Sequence, residues 1–310
     1  MSRKNVYVAL SRFCQFDERP RRVLVEAGFN LRENTSGRRL RREEMAEAVG
    51  DADAVLAGLE PYDAEMLARL PRLRCISRCG VGTDNIDLNM VGQRSIVVLT
   101  TDAEVVEPVA QMTVAMILAL ARNFPLHVTE SRMGQWHERV GYLLSEWTIG
   151  LIGFGRIGRT VERYLRVFGS RVLVADPYVQ NDELPAGVRL CDISTLLPET
   201  DLISLHAARR REDGPVIGAN EIYKMKSGSR LVNTARGYLV DEVALFQALV
   251  GGHLTGAALD VYDQEPSMGP LVTLPQVLCT PHVASTTRAS RAAMELRCAE
   301  NVRTFFSHTG

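Results

Sequence analysis

Apolar residues come in short continuous runs, at 6–10, 54–57, 73–77, 96–99, 149–152, 172–175, 202–205, 231–233, 257–260 and 277–279. Between them lie stretches such as 43–49, 160–168 and 242–249, where apolar positions recur with the period of one helix face. Continuous apolar runs separated by helices predict parallel strands covered on both faces. The fold class expected is α/β, with doubly wound parallel sheets. There are more runs than one ordinary open sheet holds, so the chain should form two such units. Segment 105–122 is the longest apolar helical pattern and precedes a glycine-rich turn near Gly153, so a helix there connects the units. Residues 124–147 have little alternation and read as an excursion. The last helical pattern, 291–306, is placed to return to the first unit. No internal repeats or low-complexity tracts interrupt this order.

Composition narrows the class without deciding it. The 310 residues carry 36 basic and 37 acidic side chains, 46% hydrophobic and 24% charged residues overall. These are the proportions of a soluble globular chain. A formal charge of −1 argues against a nucleic-acid binder that works by phosphate neutralisation. Only Lys4, Lys224 and Lys226 are lysines, which reads as coding bias. The basic clusters at 19–22, 38–42 and 209–211 read as solvated faces, two of them followed at once by acids. Cys14, Cys75, Cys79, Cys191, Cys279 and Cys298 form no CxxC pair, so neither a disulfide framework nor a metal site is expected. The N-terminus lacks a signal-peptide pattern, and 105–121 is broken by Glu107, Pro108 and Gln111. The expectation is a cytoplasmic protein with no membrane partner.

The strongest local motif is Gly153-Phe154-Gly155-Arg156-Ile157-Gly158. It follows an apolar run, opens a helical pattern, and precedes a second run that ends in Asp176. That context fits a dinucleotide-binding fingerprint. Gly153 permits the tight turn, Gly155 a close backbone approach to pyrophosphate, and Gly158 close helix–strand packing. Amides near Arg156 and Ile157 would face phosphate oxygens at the positive end of the helix. Asp176, about 20 residues on, is placed to accept from ribose hydroxyls. A 2′-phosphate there would meet a carboxylate, and Pro177 and Tyr178 offer no cation. The cofactor expected is NAD rather than NADP.

Three more runs end in chemically useful residues: Arg236 after 231–233, Glu265 after 257–260, and His282 after 277–279. In an open α/β sheet, ligands bind outside the carboxyl ends of the strands, where these groups would converge.

Together with 76–87, which contains Gly80-Val81-Gly82, these segments resemble the D-isomer-specific 2-hydroxyacid dehydrogenases, and more narrowly their phosphoglycerate dehydrogenase-like branch. The resemblance runs over nearly the whole chain. It implies two Rossmann-like domains with a cleft between them: a substrate domain at 1–99 and 287–310, and an NAD domain at 100–286. It implies that 124–147 is a dimerisation arm and the protein a homodimer. His282 would be the acid/base, with Glu265 fixing its tautomer and favouring the imidazolium. Arg236 would clamp the substrate carboxylate, with the Val81 and Gly82 amides on its other side. Thr113, Thr234 and Asp260 would serve the cofactor. The partner implied is a small 2-hydroxy or 2-keto acid.

Three departures bear on cofactor affinity and domain closure. Gln111 stands where the family usually has glutamate, Leu99-Thr100-Thr101-Asp102 replaces the usual entry to the connecting helix, and 207–214 differs from the usual proline-containing turn. The substrate expected is 3-phosphoglycerate, with Arg78, Arg132 and Arg139 as candidates for the phosphate. The alternatives are glyoxylate or hydroxypyruvate reduction and, in another class, an NAD-sensing corepressor-like binding protein. Since the chain ends at Gly310, a serine-sensing regulatory domain and feedback by that route are not expected.

Overall fold

A computed structural model describes residues 3–267 and 269–308. The chain divides into two compact units, Met1–Val105 with Thr286–Gly310, and Val106–Ser285.

The first unit holds β1 (Asn5–Val8), β2 (Asn30–Glu33), β3 (Ala54–Ala57), β4 (Cys75–Arg78) and β5 (Val97–Leu99). They form one parallel sheet in the order β2-β1-β3-β4-β5. Side chains alternate between its two faces. Val6, Val8, Ala54 and Leu56 enter one core with Cys298, Ala299 and Val302 of the helix Arg288–His308. Tyr7, Val55, Ala57 and Ile76 enter the other core with Met45, Met66 and Leu67. Both faces are covered, which is why the central strands read as apolar runs. Residues Thr100–Val105 stay with this unit. Thr101 Oγ1 accepts from Gly80 N at 2.7 Å, and Asn301 donates to Thr100 O at 3.3 Å.

The second unit holds β6 (Thr148–Ile152), β7 (Arg171–Ala175), β8 (Val188–Leu190), β9 (Leu202–Leu205), β10 (Arg230–Asn233), β11 (Gly256–Leu259) and β12 (Val277–Cys279). Its parallel order is β12-β11-β10-β9-β6-β7-β8. The order reverses between β6 and β9, so that crevice is the switch point where doubly wound sheets bind ligands. The apolar helix Val106–Ala121 buries Val109, Ala110, Met116, Ile117 and Leu120 beneath this sheet.

The sequence pattern misses two strands, β2 and β8. Both are short, polar edge strands with one covered face, so they present no continuous apolar run. The excursion begins with a helix, Phe124–Arg132, that buries no residue. Its return is anchored where the Arg230 guanidinium lies 5.6 Å from the Tyr142 ring and 4.9 Å from the Trp147 ring. Among the described residues, no single helix is long and apolar enough to cross a membrane.

Candidate active site

The glycine turn after β6 is built from three different constraints. Gly153 has φ +93°, and a Cβ there would come within 2.5 Å of the His206 and Ala207 backbone. A Cβ at Gly158 would sit 2.4 Å from Gly153 O. Both positions are closed by the protein itself. Gly155 differs, because a Cβ there would meet nothing within 4 Å. It also caps the helix Arg156–Val167, whose first-turn amides, including those of Arg156 and Ile157, have no intrahelical acceptor. The result is an open, amide-lined cradle that suits a pyrophosphate. Asp176 follows β7 and is half-buried. Its carboxylate accepts from Phe154 N at 2.7 Å and Tyr178 N at 2.9 Å, which ties it to the turn and keeps its charge at this crevice.

His206 closes the other wall. It follows β9, packs against the turn, and its Nε2 lies 3.0 Å from Ser204 Oγ. Desolvation pushes its pKa down to about 4, so the ring is neutral at pH 7. The sequence reading assigned this residue no role. The close approach demanded at Gly153 is the signal that places it.

Arg236, Glu265 and His282 follow β10, β11 and β12, three neighbouring strands. Asn233 shapes the first loop, accepting from Ala235 N at 3.1 Å and donating to Arg236 O at 2.8 Å. A Cβ at Gly237 would lie 1.8 Å from the Tyr262 carbonyl carbon, so only glycine lets the Arg236 loop pass against the loop that carries Glu265. The Glu265 carboxylate accepts from Tyr262 N at 3.2 Å and faces His282 Nδ1 at 2.8 and 3.1 Å. About a third of each side chain of this pair is exposed, at 34% and 35%. Nδ1 is thus directed at a carboxylate, which leaves Nε2 for another partner.

His282 has a left-handed backbone, φ +54°, a region that few residues other than glycine adopt. Asp260 accounts for it. Its backbone oxygen accepts from His282 N at 2.8 Å. Its carboxylate accepts from Thr280 Oγ1 at 2.5 Å, Val283 N at 2.9 Å and Ala284 N at 2.8 Å. Asp260 is wholly buried, so the loop wraps around a fixed acceptor and holds its left-handed residue in place. Thr113 is wholly buried too. Its hydroxyl donates to Val109 O and pairs at 2.8 Å with Thr234, linking the long helix to the end of β10.

Val81 and Gly82 lie in the first unit, beyond β4, after Gly80 with φ +133°. Among the phosphate candidates, Arg78 is buried, Arg139 pairs with Glu130, and Arg132 lies on the excursion helix. Among the described residues, no group of three or more His, Cys, Asp or Glu could hold a metal ion.

Residues 114–284 match the profile of the D-isomer specific 2-hydroxyacid dehydrogenase NAD binding domain. A D-3-phosphoglycerate dehydrogenase of Archaeoglobus fulgidus is 37% identical over 267 residues, covering 84% of this chain and 51% of that protein. The chain thus spans about half the length of that relative. A glyoxylate reductase of Korarchaeum cryptofilum is 36% identical, covering 85% of this chain and 82% of that one. The crystal structure of a D-lactate dehydrogenase from Aquifex aeolicus, complexed with NAD and lactic acid, superposes with a TM-score of 0.85 at 27% identity. That match covers 98% of this chain and 96% of the other.

Proposed function

Because the chain belongs to the D-isomer-specific 2-hydroxyacid dehydrogenase family, we propose that it exchanges a hydride and a proton between NAD(H) and a small 2-hydroxy or 2-keto acid. The observation that carries this reading is the His282–Glu265 pair, partly exposed beside the Arg236 loop. When bound, the nicotinamide supplies the hydride donor or acceptor.

The chain's own residues do the rest. His282 removes the proton from the 2-hydroxyl in oxidation through Nε2, and returns it to the carbonyl oxygen in reduction. Glu265 fixes the tautomer and stabilises the imidazolium formed on the way. Arg236 binds the substrate carboxylate and places positive charge where the carbonyl oxygen becomes negative. By the family resemblance, the amides of Val81 and Gly82 are also assigned to the substrate carboxylate. Gly153, Gly155 and Gly158, with the amides of Arg156 and Ile157, form the pyrophosphate seat. Asp176 accepts from the ribose hydroxyls and disfavours a 2′-phosphate. Thr234 serves the nicotinamide end, with Thr113 acting through it, and Asp260 acts there by holding the His282 loop.

We assign the excursion to a homodimer contact. Met133, Trp136, Val140 and Leu143 are all exposed there, an apolar surface that a second copy would cover. Six free thiols suit a reducing compartment such as the cytoplasm.

The decisive variant is His282→Asn, because asparagine tolerates the left-handed backbone that alanine would strain. Steady-state kinetics should show kcat lower by about 10²–10⁴-fold. NADH affinity, read by fluorescence titration, should stay within about twofold. Turnover that survives this change would refute the assignment of the proton-transfer group. A wild-type protein that binds NADH yet reduces no 2-keto acid would favour a nucleotide sensor instead.

A further inference from the structure

Beyond β3 and β4 the first unit buries two opposite charges. Glu60 is 3% exposed and Arg78 is 7% exposed. Each occupies the space that a missing side chain leaves. Glu60 Oε2 accepts from Gly58 N at 2.8 Å, and a Cβ at Gly58 would lie 2.9 Å from that oxygen. The Arg78 guanidinium donates to Cys79 O, and a Cβ at Gly80 would lie 2.6 Å from its Nη1. Burial raises the Glu60 pKa, opposed by its own amide, by Gly58 N, and by the charges of Arg39 and Arg78. The arrangement is local to the Val81–Gly82 loop. Asn85, three residues beyond Gly82, donates to Glu60 O at 2.6 Å and to Gly58 O at 3.3 Å.

Other arginines of this unit are also committed to carboxylates. Arg38 makes a two-armed contact with Glu44 at 2.7 and 2.9 Å. Arg42 binds Asp63 and Glu65. A phosphate dianion is normally recognised by cations whose forks remain available to it. Here a buried carboxylate lies in the segment that Asn85 ties to the substrate loop, and the charges of Arg39 and Arg78 act on it. Placing a second anionic group nearby sets like charges against each other in a low-dielectric setting.

We propose that Glu60 sets substrate choice, so that the acid taken by this chain carries one carboxylate and no phosphate. This rests on the dehydrogenase reading for the position of the substrate carboxylate at Val81 and Gly82. The residues beneath that loop then select a remainder that is neutral, hydrogen or hydroxymethyl in size and polarity, over a phosphorylated one.

The test compares hydroxypyruvate with phosphohydroxypyruvate as substrates with NADH, and D-glycerate with 3-phosphoglycerate as equilibrium ligands of the NADH-loaded protein. Wild type should favour the unphosphorylated member of each pair by at least about tenfold. Glu60→Gln should narrow both ratios several-fold, through the KM and Kd of the phosphorylated member, while kcat for hydroxypyruvate holds within about twofold. Preference for the phosphorylated member in wild type would overturn the proposal. So would ratios unchanged in a folded Glu60→Gln. Should that variant fail to fold, Glu60→Ser takes its place, with narrowed ratios supporting the proposal and unchanged ratios overturning it. Absence of all turnover would refute the dehydrogenase reading, whereas the ligand ratio would still decide this proposal.

Discussion

Both sheets end strands in glycine, but the space beside those glycines is used in opposite ways. Beyond β6, the Cβ position of Gly155 faces open space at the mouth of a helix. Beyond β3 and β4, the Cβ positions of Gly58 and Gly80 are filled by Glu60 and Arg78. The first arrangement keeps backbone amides available to an outside phosphate. The second spends the same freedom on two internal charges. A glycine therefore marks a close approach without saying whether the approaching group is foreign or the protein's own.

Substitutions in the β6 turn can break that contrast. Gly153→Ala should have the largest effect, since φ is +93° and the added carbon meets the His206–Ala207 backbone. A loss of roughly 3 kcal/mol or more in urea unfolding is expected from backbone strain plus overpacking. An unchanged midpoint would mean that the turn opens more easily than its contacts imply. Gly155→Ala should cost less than about 1 kcal/mol, the scale of a cap substitution. It should nevertheless weaken NADH binding about tenfold, because the methyl group takes the open space. Equal affinity in this variant would place the pyrophosphate elsewhere.

The pH-dependent effect concerns His206, which is held neutral in the same wall. Between its ordinary value of 6.5 and about 4, the unfolded chain binds a proton that the folded chain does not. The contribution is intact above pH 6.5 and is lost as pH falls toward 4. Urea midpoints of wild type should therefore fall more across this window than those of His206→Gln. Parallel curves would show that this ring does not govern the acid response.

Most residues of the second unit's candidate site can be read from the sequence because its parts are local. The turn glycines, the helix behind them and Asp176 lie within one βαβ stretch, and Arg236, Glu265 and His282 each follow an apolar run by three to five residues. What stays hidden depends on chain segments that meet only on folding. Asp260 reads as another strand-end acid, yet its partners are Thr280, Val283 and Ala284, and their amides leave no mark in the sequence. Glu60 looks like a loop residue before proline, and its burial becomes visible only when Gly58 and Asn85 close around it. Edge strands β2 and β8 are hidden for another reason. A single covered face never accumulates the apolar run that identifies their neighbours.

The excursion has an optical consequence. The chain contains two tryptophans, and it places them at opposite extremes: Trp147 is 3% exposed beside Arg230, and Trp136 is 96% exposed within the excursion. Their emissions should separate, one from a dry environment and one from water. The polar component then belongs to the arm alone. Its shift and its protection from an aqueous quencher would report when another surface covers that arm, with no label added.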